Sequence, residues 1–186
     1  IPAIGYLARL CPLKGLDILV DAFIILKETG GFPDLRLEIA GGMTAEDEPF
    51  VDEQRRKLTQ AGLSDCSRIL PNVDRDEKLD FLKKLSVFSV PARYPEAFGL
   101  YVIEALAAGV PVVLPESGAF PELVEQTQGG RVFQPNEPTA LVEALDSLLG
   151  NPDQAKSLGL AGHESVSREF SNEQLAKRLV DNILAP

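Results

Sequence analysis

Two glutamates in this 186-residue chain sit where acids are costly. From Ala97 to Leu114 every residue is apolar, glycine, proline or tyrosine except Glu104, and Glu96 stands eight positions before it. Burying an ionised carboxylate without a partner costs several kcal/mol (order of magnitude), so Glu104 needs something to hold. Eight helical residues rise about 12 Å, more than the roughly 5–9.5 Å between the paired carboxylates of glycosidases. A direct hydrolytic pair is therefore disfavoured. The spacing suits two separate acceptors flanking a diphosphate, each taking hydroxyl hydrogen bonds from a sugar ring. Glu104, leaning back toward the start of its helix, is expected to hold a ribose.

The matching cations are Arg9 and Lys14, the only bases before Lys27. Both fall in "ARLCPLKG", directly after an apolar run, and two cations at the mouth of an acidic protein suit a diphosphate. The segment "EAFG" opens the apolar helix. Its free N–H groups form an anion site, and Gly99 lets the backbone approach closely. Neither GxGxxG after the first strand nor GxxxxGK[ST] is present, so the nicotinamide-type fingerprint and the P-loop are absent.

Other chemistry-like features read more simply as structure. "DRD" (74–76) imitates a metal motif but precedes "EKLDFLKKL", so Asp74 or Asp76 is expected to cap a helix, and no metal site is expected. His163 in "LAGHESV" is expected to be solvent-facing or structurally satisfied. Glu122 suits the start of a short helix. Arg93 lies beside Glu96, where a surface ion pair competes with a phosphate contact, and Glu46, Asp47 and Glu48 read as a solvated helix start.

Short apolar runs alternating with amphipathic stretches must position these residues. Strands are expected at 2–8, 34–41, 67–70, 87–92, 111–115 and 130–135. Helices are expected at 16–29, 47–62, 76–85, 98–108 and 120–126, and three more near 137–149, 153–168 and 172–184. Six strands alternating with helices predict an α/β fold: a Rossmann-like parallel six-stranded sheet with helices on both faces. Ligands of such sheets bind beyond the carboxyl ends of the strands, which makes 9–15, 41–46, 71–75, 92–98 and 115–119 the loops of interest.

Composition narrows the function classes. The net charge is −10, with 28 acids against 18 bases, which disfavours nucleic acid. No apolar run of membrane-spanning length occurs. Cys11 and Cys66 match neither a zinc spacing nor a disulfide framework, which fits a reducing, cytoplasmic setting. The sequence starts inside an apolar segment without methionine, and is read as a single domain over 1–186 cut from a longer protein.

"RLCPLKG", "PEAFGLYVIEALAAGVPVV", "SGAFPELVEQTQGGRVF" and "EFSNEQLAKRLVDNIL", in that order, resemble the C-terminal, donor-binding half of retaining GT-B glycosyltransferases of family 4. The resemblance covers essentially the whole chain. It implies a domain that binds a nucleoside-diphosphate sugar, UDP- or GDP-linked, as donor substrate. The enzyme would transfer the hexosyl group to an acceptor with retention of configuration and without a cofactor. Arg9 and Lys14 would clamp the pyrophosphate as the catalytic cations. Glu96, also in the catalytic set, would hold the transferred sugar together with the backbone of Ala97, Phe98, Gly99 and Leu100. Glu104 would bond the ribose hydroxyls, and Asn72 and Val73 would border the nucleobase. An N-terminal acceptor-binding domain would be the missing partner, through which the protein could sit at a membrane; the isolated half is expected to be inactive. Two departures stand out: Ser117–Gly118 replaces a usual pair of glycines, and "AGG" (40–42) replaces a glycine–acid–glycine turn. The alternative is a non-catalytic nucleotide-sugar binding module; a dinucleotide-binding oxidoreductase half is opposed by the missing glycine fingerprint.

Overall fold

A computed structural model describes residues 1–171 together with 174, 176, 180 and 181. Six strands form one parallel sheet: β1 (Ala3–Leu7), β2 (Arg36–Gly41), β3 (Ser67–Pro71), β4 (Val87–Phe88), β5 (Val112–Pro115) and β6 (Gly130–Phe133). They alternate with α1 (Leu16–Glu28), α2 (Glu48–Gln60), α3 (Arg75–Leu82), α4 (Leu100–Ala107) and α5 (Phe120–Thr127), and α6 (Pro138–Leu149) and α7 (Pro152–Glu169) follow. The expected Rossmann-like sheet is present. The third terminal helix, expected at 172–184, lies largely outside the described residues.

The strand order is β3-β2-β1-β4-β5-β6, so the chain winds one way from β1 and then, after α3, the other way from β4. Right-handed crossovers then place α1 and α2 on one face and α3, α4 and α5 on the other. α6 packs on α1, while α7 packs on α4 and α5, so both faces are covered. That explains why β1 and β5 are buried at every position: a strand covered twice cannot alternate with polar residues. The core runs through both layers, with Tyr6, Phe23, Phe88 and Phe120 its largest fully buried side chains.

One strand is shorter than its apolar run suggests. The segment 87–92 is buried throughout, yet only Val87 and Phe88 join the ladder. The Ser89 N–H still reaches Gly5 O at 2.9 Å, but Pro91 has no N–H and the Ala92 N–H turns back to Val90 O at 2.8 Å. The chain therefore leaves the sheet early and carries residues 93–99 over its carboxyl edge.

Candidate functional site

β1 and β4 are neighbours where the strand order reverses, and the segments after them bring Arg9, Lys14 and Glu96 to one edge. A single 3₁₀ turn, Pro12–Lys14, follows β1 and ends at Gly15. It delivers Lys14 across the crevice to Glu96, and the two form an ion pair with both side chains largely withdrawn from water. The Lys14 ammonium also lies 4.9 Å from the ring centre of Tyr94 and 5.3 Å from that of Tyr101. The Tyr101 hydroxyl donates to the same Glu96 oxygen, Oε1, at 2.7 Å. Burial would push the Glu96 carboxyl up, but the bonds from Lys14 and Tyr101 outweigh it and hold it below the usual carboxylate range. Burial opposes the Lys14 charge as well, and the Glu96 bond again reverses the direction. Tyr101, buried and beside Glu96, is pushed far up, so it remains a donor.

The backbone around Glu96 is fixed by glycine. Gly118 has φ 60°, and a Cβ there would stand 2.4 Å from Glu96 O, which itself accepts from the Ala119 N–H at 2.8 Å. Gly99 begins α4 in the left-handed region, at φ 81°, and no side chain caps the helix. The Leu100 and Tyr101 N–H groups at the start of α4 thus have no side-chain cap, whereas the Val102 N–H already bonds Gly99 O at 2.9 Å. Ala97, Phe98 and Leu100 are exposed around this helix start, with the Phe98 ring tilted 52° to that of Phe170, centres 6.3 Å apart.

Arg9 comes from the same segment after β1 as Lys14. Its guanidinium is 54% exposed and pairs with Asp47 at 3.1 Å. The solvated acid cluster expected at 46–48 is corrected here: Asp47 is buried, at 5% exposure. It accepts from the Thr44 N–H and Thr44 hydroxyl, both at 2.9 Å, and from Arg9. These contacts hold its carboxyl below the ordinary range, the Thr44 backbone bond foremost. Arg9 is thereby braced, with much of its surface still toward solvent.

Glu104 has a different partner from Glu96. From the second turn of α4 it meets Lys78 of α3 at 2.5 Å, and both side chains are 29% exposed. It is half-buried rather than sealed. The pair lines a groove of about 520 Å³ with Arg75, Leu79, Leu82 and Ala107. Asn72, at φ 55°, does not present its amide to that groove: it accepts from Met43 N at 2.9 Å and donates to Met43 O at 3.1 Å. These bonds, with that from the Asn72 N–H to Gly41 O at 2.8 Å, tie the loop after β3 to β2 and the loop after it.

The remaining candidates resolve into structure. Asp74 caps α3, accepting from the Glu77 N–H at 2.9 Å, while Glu77 accepts from the Asp74 N–H at 3.0 Å. Arg93 makes a two-pronged pair with Asp17, at 2.7 and 2.6 Å, and so points away from Glu96. His163 places Nδ1 2.7 Å from Ala107 O. Among the described residues, no cluster of three or more His, Cys, Asp or Glu side chains could hold a metal ion, and no helix is long and apolar enough to cross a membrane. Tyr101 and Lys78 are the site residues that sequence reasoning passed over, and Asp47 is the one it read as solvated. For Tyr101 a signal existed: it carries the only hydroxyl between Ala97 and Leu114.

Comparison with known proteins bears on what such an edge serves. The family described as "Glycosyl transferases group 1" matches residues 2–165. This chain belongs to that family. It is 32% identical over 178 residues to the lipopolysaccharide core biosynthesis mannosyltransferase LpsB of Rhizobium meliloti, covering 95% of this chain and 49% of that protein. It is 31% identical over 186 residues to a GDP-mannose-dependent alpha-(1-6)-phosphatidylinositol monomannoside mannosyltransferase of Mycobacterium tuberculosis, covering 97% of this chain and 46% of that one. Among solved structures, sucrose-phosphate synthase from Thermosynechococcus elongatus superposes with a TM-score of 0.84 at 28% identity, covering 98% of this chain and 44% of that chain. This group 1 domain thus spans about half the length of the curated relatives it matches. Its sheet is the Rossmann-like one of GT-B glycosyltransferases.

Proposed function

We propose that this domain binds a nucleoside-diphosphate sugar and, within a longer glycosyltransferase, presents the hexosyl group for transfer to an acceptor with retention of configuration. The observation that carries the reading is the meeting of Lys14, Glu96 and the uncapped start of α4 at the strand-order reversal. The diphosphate would lie on the first N–H groups of α4, over Ala97–Leu100, with Lys14 and Arg9 neutralising it. Glu96 would accept hydroxyl bonds from the hexose, and Glu104 from the ribose, with main-chain groups of Asn72 and Val73 beside the base. As the glycosidic bond breaks, negative charge grows on the leaving diphosphate, where fixed cations and backbone dipoles stabilise the transition state more than the ground state. In the structure both glutamates hold ammonium groups. Binding then exchanges Lys14 from Glu96 to phosphate and Glu104 from Lys78 to ribose, without exposing a bare buried charge.

Titration calorimetry with UDP, GDP, ADP, UDP-glucose and GDP-mannose tests this directly. Saturable binding of at least one diphosphate and its sugar conjugate is expected, with EDTA and manganese giving equal affinities. No binding across the panel refutes the donor-site reading; an affinity lost with EDTA and restored by manganese refutes its metal-free form.

A further inference from the structure

Tyr101 occupies the first turn of α4, and two of its contacts converge on the donor edge. Its hydroxyl donates to Glu96 Oε1 at 2.7 Å, and the face of its ring lies 5.3 Å from the Lys14 ammonium. The ring itself is braced from behind by Phe88, with centroids 6.3 Å apart, and by Phe120, edge-on at 6.4 Å. A phenylalanine would fill the same pocket among aromatic neighbours without bringing a hydroxyl that needs a partner. The hydroxyl has that partner in Glu96, on the same oxygen that receives Lys14. Glu96 lies in an irregular segment and Lys14 in a single turn, so neither side chain is fixed by its own element.

We infer that Tyr101 is a positioning residue for the donor sugar, its phenol fixing the Glu96 carboxylate while its ring fixes the Lys14 ammonium. The inference rests on the reading of Glu96 as the hexose acceptor. The groups facing that carboxylate are Lys14 from the turn after β1, Tyr94 from its own segment, Tyr101 from α4 and the buried Tyr6 of β1. Removing a hydrogen bond that favours the charged form raises a carboxyl's titration midpoint, and a carboxylate free to rotate loses the alignment its sugar bonds require.

The test is Tyr101→Phe in the 186-residue chain, which keeps the ring against Phe88, Phe120 and Lys14. Carbon-13 NMR of the Glu96 carboxyl in the ligand-free chain is expected to show its midpoint moving to higher pH. An unmoved midpoint overturns the inference whatever the ligand is. Calorimetry against GDP-mannose and UDP-glucose is expected to show about fivefold or greater weakening of whichever conjugate binds, the scale of a lost bond to a charged group. GDP and UDP are expected to change less than about twofold. Equal loss on conjugate and bare diphosphate would mean a merely structural tyrosine. Glu96→Gln, run beside it, separates the two levels. If that variant binds the conjugate like wild type, the hexose role of Glu96 falls. If Glu96→Gln loses the conjugate and Tyr101→Phe does not, only the positioning role falls.

Discussion

Glu104→Gln keeps the size of the side chain and removes its charge, and the two roles open to Glu104 predict different responses. In the structure its partner is Lys78, at 2.5 Å, with both side chains 29% exposed. Ion pairs this open to water contribute about 0–1 kcal/mol. Losing the pair is therefore expected to lower Tm by no more than about 2–4 °C for a domain of this size. Bonds from ribose hydroxyls to a carboxylate are charge-assisted, and weakening them is expected to cost about 1–2 kcal/mol, or roughly 5- to 30-fold in Kd. The expected signature is a substantial loss of UDP or GDP affinity with a nearly unchanged melting curve, read by calorimetry and differential scanning calorimetry on one preparation. Lys78→Met gives the scale of the ion pair alone and is expected to lower Tm by no more than Glu104→Gln does. A Glu104→Gln chain that binds like wild type but melts more than about 5 °C lower would refute the ribose assignment and make the pair a structural strut.

Arg9→Ala and Lys14→Ala are each expected to weaken nucleoside-diphosphate binding about tenfold or more; unchanged affinity in both variants, by calorimetry, would remove the clamp. Gly118→Ala forces a side chain onto φ 60° and to within 2.4 Å of Glu96 O, so it is expected to cost about 1–3 kcal/mol of stability and to weaken a sugar conjugate; a wild-type melt and affinity would contradict this. The Glu96 carboxyl is held below its ordinary value of 4.5, so its contribution to stability is fully present above that value and is lost as pH falls through the lower folded-state midpoint. Glu96→Gln is accordingly expected to lose less stability than wild type between about pH 5 and pH 3, as urea titrations at each pH would show.

The order of elements could be read because each run carries its own period: "LDILVDAFIILKE" repeats at helical spacing, and the fully apolar β1 and β5 are what a doubly covered sheet requires. The end of β4 could not, since "SVPA" remains apolar after leaving the ladder, and only Pro91 hints at the departure. At the site, the types and places of Arg9, Lys14, Glu96 and Glu104 were legible from their rarity in their surroundings. Their partners were not. Lys14 meets Glu96 across 82 positions and Lys78 meets Glu104 across 26, and pairings of that range follow from the winding of the sheet, not from local pattern. Asp47 shows the same gap. Beside Glu46 and Glu48 it resembles a wet helix start, and its partners are a threonine three residues before and an arginine 38 residues before.

The brevity of β4 leaves a seam down the middle of the domain. β1 meets β4 at two residue pairs and β4 meets β5 at one, whereas β1–β2 and β2–β3 each run to five. Arg9 and Lys14 belong to one side of that seam, Glu96 and Glu104 to the other. Lys14–Glu96 is thus a stitch across it, as is the packing of α1 on α6. A diphosphate gripped by both sides would be a longer stitch, raising the free energy of opening the middle of the sheet by RT ln(1 + [L]/Kd). Occupancy would then alter cooperativity as well as chemistry: two half-sheets able to breathe separately when empty would open as one unit when loaded.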